Sequence, residues 1–236
     1  MSGRTIVITG ATKGLGRCLA LTFARVGYRV LGLYRQDEVA AEELRAALVK
    51  AGAGAEVIRH DITGGASQVW THEAIQSATS LSLINNATAP FHPKPLHLEQ
   101  WADFESQINV HLKGAWHCTT SMLRPLLRCQ SGAVVNVLSS AVFDSAPKGF
   151  CAYNSAKHAL RGFTLSLASE YRERGLRIFS VSPGFMKTSL TESWDARLVQ
   201  GIESGGATSD PETASERILQ LVEDSQLPAN GENYHV

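Results

Sequence analysis

The stretch RTIVITGATKGLG, residues 4–16, decides the fold that we predict for the whole chain. Its first six residues are mostly apolar and rich in β-branched side chains, which is typical of a buried parallel strand. Three glycines follow at once in the spacing GxxxGxG, and residues 17–27 then show helical periodicity. A strand, a glycine turn and a helix direct backbone N–H groups towards an anion at the helix N-terminus. The stretch therefore predicts a loop that binds a cofactor phosphate, although a glycine cluster alone can also be a simple tight turn.

The rest of the chain continues this alternation of short apolar runs and helical segments. Further strands are predicted at residues 28–34, 55–60, 81–85, 132–139, 176–182 and 231–236, and helices at 39–51, 67–77, 98–128, 152–174 and 211–223. The segment 98–128 is either one long helix or two abutting helices. The polar residues 189–206 are predicted to form an irregular, mobile lid. Because there is no internal repeat or linker, residues 1–236 predict one α/β domain. Its expected architecture is a Rossmann-like, doubly wound parallel sheet of about seven strands with helices on both faces.

The composition argues against several classes of protein. The chain has 236 residues, of which 44% are hydrophobic and 19% are charged, so a large core is expected. The formal net charge is zero, which argues against a nucleic acid or a membrane surface as partner. The four cysteines show no CxxC spacing, so the sequence suits a reducing compartment and predicts no metal site. With no signal-like segment and no membrane-length apolar run, we expect a cytoplasmic protein.

Tyr153 and Lys157 form the clearest candidate for catalysis. Residues four apart share one face of a helix, so both side chains can point into one pocket. A nearby ammonium favours the phenolate and lowers the pKa of a tyrosine. A phenol tuned in this way can deliver a proton to a carbonyl oxygen or remove one from an alcohol. The alternative for an isolated YxxxK pattern is a solvated helix face.

Cofactor choice is indicated at the end of the second predicted strand. In a nucleotide-binding βαβ unit, an acid at this point selects a free ribose 2′-hydroxyl, whereas a cation accommodates a 2′-phosphate. Here Tyr34 is followed by Arg35, and Lys13 in the glycine loop can add a second cation. The pattern predicts NADP(H) as the cofactor. The alternative is that Arg35 is only a solvated loop residue.

Five motifs occur in a fixed order along the chain. They are TGATKGLG at 9–16, HDIT at 60–63, NNAT at 85–88, YNSAK at 153–157 and VSPGFMKTSLT at 181–191. They resemble the cofactor loop, the adenine-contacting segment, the NNAG segment, the catalytic YxxxK and the PG-x-x-x-T segment of the short-chain dehydrogenase/reductase family. The resemblance runs essentially end to end. It implies cofactor contacts from Gly10, Thr12, Lys13, Gly14, Leu15, Gly16, Arg35, Asp61, Ile62, Asn86, Ala87, Tyr153, Lys157, Pro183, Gly184, Met186 and Thr188.

The same resemblance implies a catalytic set. Ser140 precedes Tyr153 by thirteen residues, the usual family spacing, and would hold the substrate oxygen that Tyr153 protonates. Lys157 would lower the pKa of Tyr153 and bind the nicotinamide ribose. Alignment on the following Leu-Lys-Gly puts His111 where the family has an asparagine whose backbone carbonyl holds a relay water. Asn109 is the alternative if the helix is locally distorted.

Thr88 is a second departure, because it replaces the glycine of NNAG and crowds the backbone near the cofactor.

PGFMKTSLT and the terminal GENYHV are most similar to 3-oxoacyl-carrier-protein reductases. This implies an NADPH-dependent ketoreductase acting on a β-ketoacyl thioester or related ketone, free or tethered to a carrier protein. Cations at two predicted helix ends either dock an acidic carrier or simply complement the helix dipoles: Arg124, Arg128, Arg172 and Arg174. The alternatives are an NADP-dependent alcohol dehydrogenase and a non-catalytic NADP(H) sensor. The helices at 98–128 and 152–174 are expected to form a homodimer or homotetramer.

Overall fold

A seven-stranded parallel sheet occupies the middle of the protein. The computed structural model describes residues 3–52, 54–64, 67–129, 131–143, 146–206, 208–226 and 231–236. The strands are β1 (Arg4–Thr9), β2 (Arg29–Tyr34), β3 (Ala55–Arg59), β4 (Ser80–Asn85), β5 (Ser131–Val137), β6 (Leu176–Ser182) and β7 (Asn233–His235). Their spatial order is β3-β2-β1-β4-β5-β6-β7, and every neighbouring pair is parallel. The order reverses between β1 and β4, which places a crevice at the carboxyl ends of these two strands.

Helices cover both faces of the sheet. They are α1 (Gly14–Arg25), α2 (Glu38–Lys50), α3 (Glu73–Gln76), α4 (Trp101–Ile108), α5 (Ala115–Arg128), α6 (Cys151–Tyr171), α7 (Ala196–Gly205) and α8 (Pro211–Glu223). Alternate residues of a strand point to opposite faces. Ile6 accordingly packs with Phe23 and Ile218 on the α1 and α8 side, whereas Val7 packs with Met122 on the α5 side. The predicted doubly wound architecture is confirmed.

Two predicted segments differ in detail. The predicted lid at 189–206 contains α7, because the Asp195 carboxylate caps the backbone N–H groups of Arg197 and Leu198. The segment 98–128, predicted as one long helix or two abutting helices, consists of α4, a π-helical segment at Asn109–Gly114, and α5. Within the described ranges, no helix combines the length and the apolar character needed to cross a membrane.

Candidate active site

A cavity of about 520 Å³ lies at the carboxyl ends of the strands, across the point where the strand order reverses. It extends from the glycine loop and Arg35 at one end to Tyr153 and Lys157 at the other. All the residues predicted above to contact a cofactor line this cavity. The sequence motifs, which are far apart in the chain, therefore meet at one site.

The glycine loop packs too tightly for side chains. Gly10 and Gly14 have φ angles of 65° and 49°, in the left-handed region that favours glycine. A Cβ on Gly16 would lie 2.1 Å from the carbonyl oxygen of Gly10, so α1 begins directly against the loop. Lys13, the N-cap residue of α1, supplies no side-chain cap. The first N–H groups of the helix are thus available to an anion, and the loop fits the pyrophosphate of a dinucleotide.

The end of β4 is tied to this loop by hydrogen bonds. The Asn86 side-chain amide donates to the carbonyls of Thr9 and Gly10, at 3.0 and 3.2 Å. The backbone N–H of Ala87 donates to the Thr9 hydroxyl at 2.9 Å. These bonds fix the floor of the cavity between β1 and β4.

The cations at the far end of the cavity are Arg35 and Arg59, whereas the sequence predicted Arg35 and Lys13. Arg35 and Arg59 line an adjoining recess together with His60 and Asp61. The Arg59 guanidinium donates to the Arg35 carbonyl at 3.2 Å. Lys13, expected to act as the second cation, is instead paired with Asp37. Arg59 was missed by the sequence analysis because it lies in a different strand and becomes a neighbour of Arg35 only through the pairing of β2 with β3.

Tyr153 and Lys157 lie one turn apart on α6 and face the other end of the cavity. The Lys157 ammonium donates to the Val137 carbonyl at 2.7 Å and lies 5.6 Å from the centre of the Tyr153 ring. Burial lowers the pKa of Lys157 to about 7 and raises the pKa of Tyr153 to about 12. The expected lowering of the tyrosine pKa by Lys157 is not found here, because burial disfavours the charged forms of both groups.

The serine beside Tyr153 is Ser139. Its side chain lies close enough to the Tyr153 phenol to lower the pKa of Tyr153, which opposes the effect of burial. Among the described residues that line the cavity, Ser139 is present and Ser140 is not. Ser140 begins a short 3-10 turn, and its backbone N–H donates to the Pro183 carbonyl at 2.9 Å. The geometry therefore favours Ser139, fourteen residues before Tyr153, over the Ser140 predicted from the thirteen-residue spacing.

The comparisons with known proteins agree with this arrangement. The family model described as short chain dehydrogenase matches residues 4–198. The chain belongs to the short-chain dehydrogenase family. It is therefore an NAD(P)-dependent oxidoreductase that acts on an alcohol or a ketone.

Three individual proteins that the chain is similar to share 22–28% sequence identity with it. A 3-oxoacyl-[acyl-carrier-protein] reductase of Synechocystis sp. is 28% identical over 203 residues, which cover 84% of this chain and 81% of that protein. The crystal structure of a Brucella melitensis 3-ketoacyl-(acyl-carrier-protein) reductase complexed with NADH superposes with a TM-score of 0.86 at 22% identity, covering 100% of this chain and 97% of that one. The crystal structure of a Beutenbergia cavernae protein assigned as an NAD(P)-dependent gluconate 5-dehydrogenase, with NADP bound at low occupancy, superposes with a TM-score of 0.86 at 27% identity. The match covers 100% of this chain and 95% of that one.

In this short-chain dehydrogenase, the His111 ring contacts the ring of Tyr153. His111 lies in the π-helical segment, which ends at Gly114. A Cβ on Gly114 would lie 2.6 Å from the Ile62 side chain, so a glycine at this position allows the segment to pack closely against Ile62. The His111 ring is buried, and its centre lies 5.5 Å from that of Tyr153 at nearly a right angle. Burial and the charge of Lys157 hold the pKa of His111 well below its usual value, so the imidazole is neutral.

The two departures from the family motifs meet in space. His111 Nε2 lies 3.3 Å from the Thr88 hydroxyl and 3.2 Å from the Gln107 side-chain oxygen. The Gln107 amide nitrogen donates to the Pro90 carbonyl at 3.4 Å, which leaves its oxygen facing the imidazole. His111 Nε2 therefore carries the proton. The His111 side chain thus contacts Thr88, which lines the cavity, whereas His111 itself is buried against Tyr153.

The sequence analysis also missed the residues beside Tyr153. We call Phe91, Phe150 and Trp194 the aromatic wall; all three line the cavity. Phe91 follows β4, Phe150 precedes α6, and Trp194 precedes α7. No local pattern marks them, because three separate segments bring them together.

Proposed function

We propose that the chain is an NADPH-dependent ketoreductase that uses Tyr153 as the proton donor, and that residues 1–236 act as one cofactor-binding domain. One observation carries the proposal. The Tyr153, Ser139 and Lys157 side chains line one end of a cavity whose other end holds the glycine loop and Arg35. The four free cysteines suit a reducing compartment, so we propose the cytoplasm as its location.

The site residues support reduction of a carbonyl. When bound, a reduced nicotinamide supplies the hydride that forms the new C–H bond. The Tyr153 hydroxyl gives its proton to the substrate oxygen, so one ketone, one hydride and one proton together give one alcohol. Because burial raises the pKa of Tyr153, its hydroxyl is protonated at neutral pH and has a proton to donate. Ser139 donates a hydrogen bond to the same oxygen as negative charge develops on it, and Lys157 contributes positive charge nearby.

Preference for NADPH is supported by the two arginines at the far end of the cavity. Arg35 and Arg59 flank the recess, and a guanidinium forms strong, charge-assisted hydrogen bonds with a phosphate. Arg35→Asp should reverse the preference between NADPH and NADH, measured as dissociation constants by fluorescence titration. Arg25→Asp makes the same charge change on an exposed residue at the end of α1 and should leave the preference intact. Equal affinity of the unmodified protein for the two cofactors would contradict the proposal.

The proposed substrate is a β-ketoacyl thioester or a related ketone, either free or tethered to a carrier protein. The relatives named as 3-oxoacyl-carrier-protein reductases support this substrate class. The arginines at the ends of α5 and α6 support carrier docking, although Arg128 also donates to the Gln76 carbonyl at 2.6 Å. The test is to offer the enzyme a panel of β-ketoacyl thioesters and simple ketones and to measure turnover as the loss of NADPH absorbance. Tight NADPH binding without turnover of any ketone would favour the sensor, and turnover of alcohols alone would favour the dehydrogenase.

We also propose that the protein is a homodimer or homotetramer. Trp116 on α5 is 48% exposed, and Leu165 on α6 is 46% exposed. Large apolar side chains on these two helices support a partner surface made by a second copy of the chain.

A further inference from the structure

The aromatic wall is packed directly against the catalytic tyrosine. The Phe91 ring stacks on the Tyr153 ring, with the centres 4.8 Å apart and the planes at 14°. Phe150 lies edge-on to Phe91 at 5.1 Å, and Trp194 contacts both rings at 5.1 and 5.4 Å. Offset stacks and edge-to-face contacts are the arrangements that aromatic rings prefer. The space beside the Tyr153 hydroxyl is thus bounded by flat apolar surfaces.

The wall is held in place before any substrate arrives. The Trp194 indole N–H donates to the Phe91 carbonyl at 2.9 Å, which joins the segment after β6 to the loop after β4. Phe150 is buried, so its ring cannot move without disturbing its neighbours. A preformed apolar surface loses little conformational entropy when a rigid ring binds to it.

Charge in the cavity is concentrated at the opposite end. Among the described lining residues, Lys13, Arg35, Asp37 and Asp61 all belong to the loops after β1, β2 and β3. Lys157 is the charged lining residue near the wall, and its ammonium is bonded to the Val137 carbonyl. A substrate with a carboxylate, an ammonium or several hydroxyls beside its carbonyl would have to desolvate those groups against the apolar wall, which is unfavourable.

We infer that the substrate of this enzyme carries a flat, uncharged ring, aryl or alicyclic, next to the carbonyl that is reduced. The inference rests on the proposed ketoreductase function and narrows it. It selects ring-bearing ketones and β-keto acyl groups, whether free or tethered. It disfavours sugar acids, amino acids and short polar ketones at the same site.

The test compares three β-keto esters that share one ester end. Ethyl benzoylacetate has an aryl group on the ketone, ethyl acetoacetate has a methyl group, and monoethyl 3-oxoglutarate has a carboxylate-bearing chain. With NADPH in excess, we expect kcat/KM to be at least tenfold higher for the aryl ester than for the methyl ester. We expect the carboxylate ester to be the poorest substrate. Equal or reversed values would overturn the inference.

Variants of the wall separate its role from a general loss of activity. Trp194→Leu and Phe91→Leu should each reduce the aryl-to-methyl ratio of kcat/KM several-fold, and the second variant serves if the first does not fold. Trp101→Leu is the matched control, because Trp101 is 71% exposed on α4 and stacks on Phe104 outside the wall. It should leave the ratio unchanged. An unchanged ratio in both wall variants would contradict the inference.

A binding measurement distinguishes failure of the inference from failure of the proposed function. Binding of the three esters to the NADPH complex of Tyr153→Phe can be followed by quenching of tryptophan fluorescence. Tighter binding of the aryl ester than of the other two, weakened by Phe91→Leu, supports the inference even if no ester is reduced by the unmodified enzyme. Absence of turnover would then contradict only the ketoreductase proposal. No preference for the aryl ester in binding would overturn the inference.

Discussion

The two adjacent serines before α6 give the sharpest test of the proposed site. In Ser139→Ala the Tyr153 phenol loses its hydroxyl partner, and the substrate oxygen loses one donor. Loss of one such donor costs about 2.7–4 kcal/mol of transition-state stabilisation, roughly a 10²–10³-fold fall in kcat. In Ser140→Ala the bond to Pro183 remains, because its donor is the backbone N–H. We expect that variant to stay within about 0.5 kcal/mol of the unmodified enzyme, as is usual for a substitution that breaks no contact.

The assay is the steady-state oxidation of NADPH with one saturating ketone, measured for both alanine variants in parallel. Dissociation constants for NADPH, taken from fluorescence titrations, serve as the control and should be similar for both variants. A Ser140→Ala enzyme that is nearly inactive beside an active Ser139→Ala enzyme would show that the thirteen-residue spacing identifies the right serine. That result would refute the geometric assignment.

Three further predictions concern the surroundings of Tyr153 and the surface of the protein. Tyr153→Phe should abolish ketone reduction while leaving the NADPH dissociation constant almost unchanged, because only a hydroxyl is lost; substantial turnover would refute its role as proton donor. His111→Asn and Thr88→Gly should each lower kcat/KM. The double variant should lose less transition-state stabilisation than the sum of the two single variants, with a coupling energy of about 0.5–3 kcal/mol. Strict additivity in this double-mutant cycle would show that the 3.3 Å contact between the two side chains does not contribute to activity. Trp116→Glu should shift the protein towards monomers in light scattering, and a monomeric unmodified protein at micromolar concentration would contradict the proposed oligomer.

Much of the fold could be predicted because its signals are local. The strands are short apolar runs, and the glycine loop directly follows the first of them and leads into α1. Helix α7 was missed because its sequence, ARLVQGIESG, contains two glycines and several polar residues, and its start depends on a cap from Asp195. Such a segment forms a helix through its contacts more than through its own propensity.

The details of the site were harder, because they depend on contacts between distant segments. The thirteen-residue spacing to Tyr153 selected Ser140, and spacing alone does not record which of the two serine side chains lines the cavity. The pairing of Lys13 with Asp37 and the approach of Arg59 to Arg35 depend on how neighbouring loops fold. A single sequence records none of these distances. The side-chain contact between Thr88 and His111, which explains two departures from the family motifs together, became visible only in three dimensions.

The hydrogen bond from Trp194 to Phe91 has a consequence for the time course of turnover. It joins the segment before α7 to the loop after β4 beside the cavity, and it opposes product release if these two segments have to separate for the alcohol to leave. One such bond contributes about 1 kcal/mol, and each ring contact adds about 0.5–1.5 kcal/mol, so opening is unfavourable but readily accessible. When hydride transfer is faster than this opening, the first turnover precedes a slower steady state. Rapid mixing should then show a burst of NADPH oxidation whose amplitude equals the concentration of active sites. The burst should vanish in Trp194→Leu, which lacks the indole.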